Sequence, residues 1–107
     1  MTPEQARDAL VTTLEQLGQI FPLDKADWDS RLVVRLAVER LWITAGNLAE
    51  AYRLGSGIES GVEPWSGLVG YRHLLAHALT GDISSDRVYA DTSADLARIA
   101  NEVRRVR

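Results

Sequence analysis

Two residues in this 107-residue chain have types and spacing that suit chemistry near neutral pH. They are Arg72 and His77, at the two ends of the segment Arg72-His73-Leu74-Leu75-Ala76-His77. Histidine titrates near neutrality and can move a proton to or from a ribose hydroxyl or a leaving oxygen. Arginine holds a phosphate in a planar fork and stabilises charge that builds in a transition state. Together they suit cleavage of an RNA phosphodiester by the neighbouring 2′-oxygen, a scheme that requires no metal. Five positions turn an ideal helix through about 140°. The two tips would therefore flank a groove, or meet the same pair from a symmetry mate, rather than touch along one straight helix. Spacing alone also fits a surface arginine and a histidine placed at a helix C-terminus, where cations are favoured.

Other candidates are weaker. His73 and His77 are four apart and could face one metal, but no glutamate follows His73, the chain has no cysteine, and no third ligand stands at motif spacing. No metal site and no cofactor are expected. Glu39 lies four positions after Arg35, which suits a helix-surface pair, and in a dimer cleft Glu39 could instead polarise a histidine. Trp28, Trp42 and Trp65 stand among apolar residues as core or interface anchors. Arg104, Arg105 and Arg107 complement the dipole at the end of the last helix, with a lesser role in gripping phosphates. The glycines of Gly55 to Glu63 follow no strand and precede no Gly-Lys-Ser/Thr, so that stretch reads as a loop and not as a phosphate cradle.

The elements that must position Arg72 and His77 are helical throughout. Thr2, Pro3 and Gln5 spell a capped helix start, followed by an apolar stripe of Ala6, Leu10, Leu14, Leu17 and Phe21 and a stop at Pro22. A second helix is expected from about Asp27 to Gly55. Between Leu32 and Ala45 its apolar residues go most of the way round, so it needs cover on several faces, and a second subunit is the simplest cover. Pro64 opens a third helix ending near Gly81. Asp82 to Tyr89 reads as a turn, and Thr92 with Asp95 reads as the start of the last helix. The expectation is one all-α domain over residues 1–107, a four- to five-helix bundle that pairs with itself.

The block from Pro64 to His77 resembles the signature helix of HepT-like proteins, a family of the HEPN superfamily. The family pattern is Pro-Trp, a short spacer, Arg, four residues, then His, often with Asn after the Arg and Ala before the His. Pro64, Trp65, Arg72, Ala76 and His77 stand in register, while His73 replaces the Asn. Ala37-Val38-Glu39-Arg40 followed by Ile43 and Gly46 is similar to the family's long second helix. The resemblance covers about nine-tenths of the chain and is most specific at Pro64 to His77. It implies a homodimer with two Arg/His pairs in a shared cleft, acting as a metal-independent endoribonuclease toxin. Its expected partners are RNA and an antitoxin, a minimal nucleotidyltransferase that places AMP on a tyrosine two positions after the motif histidine. Here that position is Leu79, so either neutralisation works differently, or Tyr71 or Tyr89 is modified instead, or the chain is no longer a regulated toxin. The acidic residue that the family commonly carries beside the mid-helix glycine is Asn47 here. Arg72 and His77 are thus the expected catalytic pair, with His73, Glu39, Asn47 and Tyr71 in support.

Composition narrows the setting. Hydrophobic residues make up 46% and charged residues 25%, which is ordinary for a folded domain. A net charge of −3 argues against indiscriminate nucleic-acid coating and favours a specific, structured RNA. No basic segment followed by an apolar run opens the chain and charges interrupt every hydrophobic stretch, so neither a signal peptide nor a membrane span is expected, and the default location is the cytoplasm. A rival reading is a non-catalytic binding subunit that presents substrate to a nucleotidyltransferase. A purely structural dimer is a weaker third.

Overall fold

The computed structural model describes residues 1–77 and 84–106 as five helices: α1 (Pro3–Ile20), α2 (Lys25–Ser30), α3 (Leu32–Gly55), α4 (Trp65–Ala76) and α5 (Ser85–Arg105). The fold is an all-α, five-helix bundle. α1 begins as its sequence predicts: the Gln5 N–H donates to the Thr2 hydroxyl at 3.1 Å, and the Thr2 N–H donates to Gln5 Oε1 at 2.8 Å. Ala6, Leu10, Leu14 and Leu17 are buried along one stripe, and Phe21 caps the end.

The predicted second helix divides in two. Its break falls at Arg31, whose φ of −121° and ψ of 83° are not helical. Asp27, Asp29 and Ser30 supply the weakness, because short polar side chains compete for the backbone, and the Ser30 hydroxyl does so by donating to the Asp27 carbonyl. Packing decides the rest. Trp28 turns fully inward against Phe21 and Tyr89, and its indole N–H donates to the Ser85 carbonyl. Arg35 then bonds the Trp28 and Asp29 carbonyls at 2.8 and 2.6 Å, so its hydrogen bonds serve the end of α2 rather than the expected partner Glu39.

α3 is the central helix. Val38, Trp42, Ala45, Gly46, Ala49 and Tyr52 are buried, and the helix packs mainly on α1 and α4. Cover is incomplete at its start, where Leu32, Val33 and Leu36 stand 57%, 79% and 55% exposed. The glycine-containing loop after α3 takes left-handed backbone at Gly57 and Gly61, and Arg53 ties it down by donating to the Ile58 carbonyl. Pro64 opens α4, with Glu63 Oε2 accepting from the Gly67 N–H at 3.0 Å. The expected end near Gly81 lies outside the described residues.

The last helix starts two turns earlier than its sequence suggests. Ser84 is its N-cap, and the stretch from Ser85 to Tyr89 is helix, not turn. Thr92 is no cap: it is buried in mid-helix, donating to the Val88 carbonyl at 2.7 Å and accepting the Trp42 indole N–H at 3.0 Å. A threonine three residues before an acid reads the same in both roles. The indole across the core decides between them. α5 packs chiefly on α1, and α4 chiefly on α3. Trp28, Trp42 and Trp65 are core anchors, at most 2% exposed.

Candidate functional site

The site grows from one close approach. Gly46 sits in the middle of α3, and a Cβ there would fall 2.4 Å from Arg72 Cβ and 2.8 Å from the Leu68 carbonyl oxygen. Only a residue without a side chain lets α4 lie this near. The approach lays Arg72 across the next turn of α3. Its Nη1 donates to Asn47 Oδ1 at 3.0 Å and its Nη2 to Glu50 Oε2 at 3.1 Å. Asn47 and Glu50 are the positions one and four after the glycine, so a single helical turn brackets the guanidinium.

Nη2 also lies 3.1 Å from His73 Nε2. Arginine can only donate, so this contact is a hydrogen bond when Nε2 carries a lone pair and the ring proton is on Nδ1. The contacts to Asn47 and Glu50, one from each terminal nitrogen, fix the plane of the fork. The Arg72 side chain is 16% exposed and that of Glu50 35%, so the ion pair is partly withdrawn from water and holds more firmly than a surface pair would. His77 ends α4 as its C-cap, with its backbone N–H turned back on the carbonyls of His73, Leu74 and Leu75. It is exposed, at the C-terminal end of the helix.

The expected site residues thus separate into two groups. Arg72, Asn47 and His73 come together, with His77 one turn on along the same helix. Tyr71 instead packs edge-on against Trp42, their ring centres 5.5 Å apart. Burial and the nearby Asp91 carboxylate push its phenol well above the usual value. The Glu39 carboxyl is also pushed up, by burial first, with Arg35 pulling the other way. It lies close enough to Tyr71 for its charge to be felt there. Tyr71 and Glu39 therefore belong to the face of the bundle that carries Trp42 and Asp91, not to the Arg72 cluster. Leu79 and Arg107 lie outside the described residues.

Glu50 is the site residue that sequence reasoning missed. A signal for it existed. Glycine inside a long helix costs roughly 1 kcal/mol against alanine, so it marks a packing contact, and polar residues one and four positions later must flank whatever approaches. Asn47 does not stand alone in place of an acid, because Glu50 supplies the carboxylate one turn further along. Among the described residues no group of three or more His, Asp or Glu side chains converges as a metal site would require, and no helix is long and apolar enough to cross a membrane.

Comparison with family models, with curated proteins and with solved structures returned no match.

Proposed function

We propose that this chain is a HepT-like, metal-independent endoribonuclease that works as a homodimer, the toxin of a pair whose antitoxin is a minimal nucleotidyltransferase. The observation that carries the reading is the bracing of Arg72. A guanidinium held in one plane by Asn47 and Glu50, with His73 beside it and an exposed His77 at the end of the same helix, combines a fixed cation with a proton carrier. Arg72 would stabilise the phosphate as the 2′-oxygen attacks, His77 would move the proton, and Asn47 and Glu50 would position Arg72. The exposed Leu32, Val33 and Leu36 at the start of α3 offer a second copy an apolar surface.

The experiment is RNA cleavage by the purified chain with chelator present, alongside Arg72→Ala, His77→Ala and Glu50→Gln. Each alanine variant is expected to lose on the order of 100-fold or more in rate, the usual worth of a general acid or base or of a transition-state cation. Glu50→Gln is expected to lose less, because glutamine still accepts one hydrogen bond. Full cleavage by His77→Ala removes that residue from the mechanism. A monomer in sedimentation removes the shared cleft.

The leucine at position 79 favours a second reading, a non-catalytic subunit that binds substrate for a nucleotidyltransferase partner. Growth arrest on expression, relieved by Arg72→Ala, selects the toxin. No arrest, together with retained RNA binding, selects the subunit.

A further inference from the structure

The face of α3 that its own bundle leaves uncovered has a regular period. Leu36, Arg40, Ile43, Asn47, Glu50 and Leu54 stand alternately four and three positions apart, the a and d spacing of a coiled-coil seam. They point away from the buried side of the helix, which carries Val38, Trp42, Ala45 and Ala49. Leu36 and Leu54 are 55% and 63% exposed, Arg40 and Asn47 are exposed, and Ile43 and Glu50 are half-buried. The seam is apolar at its ends and charged within. Arg40 forms no hydrogen bond or ion pair with any described residue. Glu50 spends only Oε2 on Arg72, which leaves its other oxygen open to a second donor.

The seam is complementary to itself in one arrangement. A parallel copy would set each Arg40 on the other and each Glu50 on the other, like charge on like. An antiparallel copy sets each a position against a d position of its partner. In one register Leu36 then meets the partner's Leu54, Arg40 meets the partner's Glu50 and Ile43 meets the partner's Asn47, and two-fold symmetry repeats the three contacts on the other side. A shift of one heptad either way loses this match. In one direction Leu36 falls on the partner's Asn47 and Arg40 on the partner's Ile43. In the other, Leu36 and Arg40 pass beyond the end of the partner's helix at Gly55. A single polar amide such as Asn47 inside a seam is a known device for fixing register.

We propose that two copies of this chain pair through an antiparallel contact of α3 with α3, in which Arg40 of each copy bonds the partner's Glu50. The consequence lies at the Arg72 cluster. Within one copy Arg72 and Glu50 cancel as charges. In the pair, Arg40 of the partner joins the same carboxylate, so each cluster gains a second guanidinium and a net positive charge with which to hold an anion. The inference rests on the homodimer part of the function proposed above and deepens it, by naming the helix, the register and the residue that one copy lends the other.

The chain has no cysteine, so introduced thiols report the register without background. Leu36→Cys mixed with Leu54→Cys under mild oxidation should give a disulfide-linked dimer, because facing positions fall within the Cα separation of about 7 Å that a disulfide can span. Either variant oxidised alone should stay unlinked, since the two copies of position 36 lie roughly 27 Å apart along an antiparallel pair. Sedimentation tests the charges. Arg40→Glu sets acid against acid at both contacts of a dimer and should raise the dimer Kd roughly tenfold or more, and Glu50→Arg should do the same with two cations. An equal mixture of the two restores opposite charges at both contacts and should associate several-fold more tightly than either variant alone. Arg40 is exposed, so circular dichroism should find Arg40→Glu folded. Linking of Leu36→Cys to itself, no linked dimer from the cysteine mixture, or wild-type association by folded Arg40→Glu overturns the inference. A dimer that forms through another face defeats this register and leaves the nuclease reading standing, whereas a monomer at every concentration removes both this pairing and the shared cleft.

Discussion

Replacing Gly46 by alanine tests the contact on which the Arg72 cluster is built. The added Cβ would fall 2.4 Å from Arg72 Cβ and 2.8 Å from the Leu68 carbonyl oxygen. Carbon atoms in contact normally lie about 3.5–4.0 Å apart, so α4 must retreat by roughly 1 Å. Neither neighbour can swing aside, since one is the root of a side chain and the other is backbone. Overpacking of this kind costs about 1–3 kcal/mol, and the better helix propensity of alanine returns about 1 kcal/mol. With two rigid neighbours the net should lie near the upper end, a loss of about 2 kcal/mol. For a domain of this size that lowers Tm by roughly 8 °C or somewhat more. Urea unfolding followed by circular dichroism measures it, with an unchanged slope showing that only stability moved. Gly70 is the internal control. It lies in α4, it is exposed, and a Cβ there meets nothing within 4 Å. Gly70→Ala should therefore stabilise the chain by up to about 1 kcal/mol through propensity alone. If Gly46→Ala matches Gly70→Ala, the helices do not meet as described, and the positioning of Arg72 by Asn47 and Glu50 falls with them.

Two further outcomes follow from buried polar groups. Thr92→Val keeps the side-chain shape and removes the oxygen that accepts the Trp42 indole N–H, leaving that donor buried and unbonded; urea unfolding should show a loss of about 1–3 kcal/mol, and a neutral result would mean that water or another acceptor replaces the hydroxyl. The second concerns alkaline pH. The Tyr71 phenol is raised above its unfolded value of about 10, so its contribution to stability is complete below that pH and is lost as pH rises towards the folded value. Between neutrality and strongly alkaline solution the wild type should lose more stability than Tyr71→Phe, and equal losses in denaturant melts across that range would show that the phenol does not titrate in a buried setting.

Legibility in the sequence followed how local the deciding physics is. The start of α1 is settled by three residues that bond to one another, so Thr2, Pro3 and Gln5 announce it without reference to the rest of the chain. The apolar stripe of α1 and the three buried tryptophans were equally readable, because burial by helical period needs only sequence spacing. The break at Arg31 was not. Nothing at that position forbids helix, and the chain turns there because Trp28 must reach Phe21 and Tyr89 while α3 runs on between α1 and α4. Thr92 failed for the same reason: its hydroxyl answers an indole fifty positions away.

The site shows both limits at once. Arg72 and His77 were candidates by residue type alone, and they stand at successive turns of one helix end. What holds Arg72 could not be read the same way, since Glu50 is twenty-two positions distant and meets it only because Gly46 removes the atom that would keep the helices apart. The glycine is therefore the link between fold and site. It sets the spacing of α3 and α4, that spacing sets which turn of α3 the guanidinium crosses, and that turn happens to carry the amide and the carboxylate that fix its plane. A mutation that preserves every charged and polar residue of the cluster can still dismantle it by adding one methyl group at position 46.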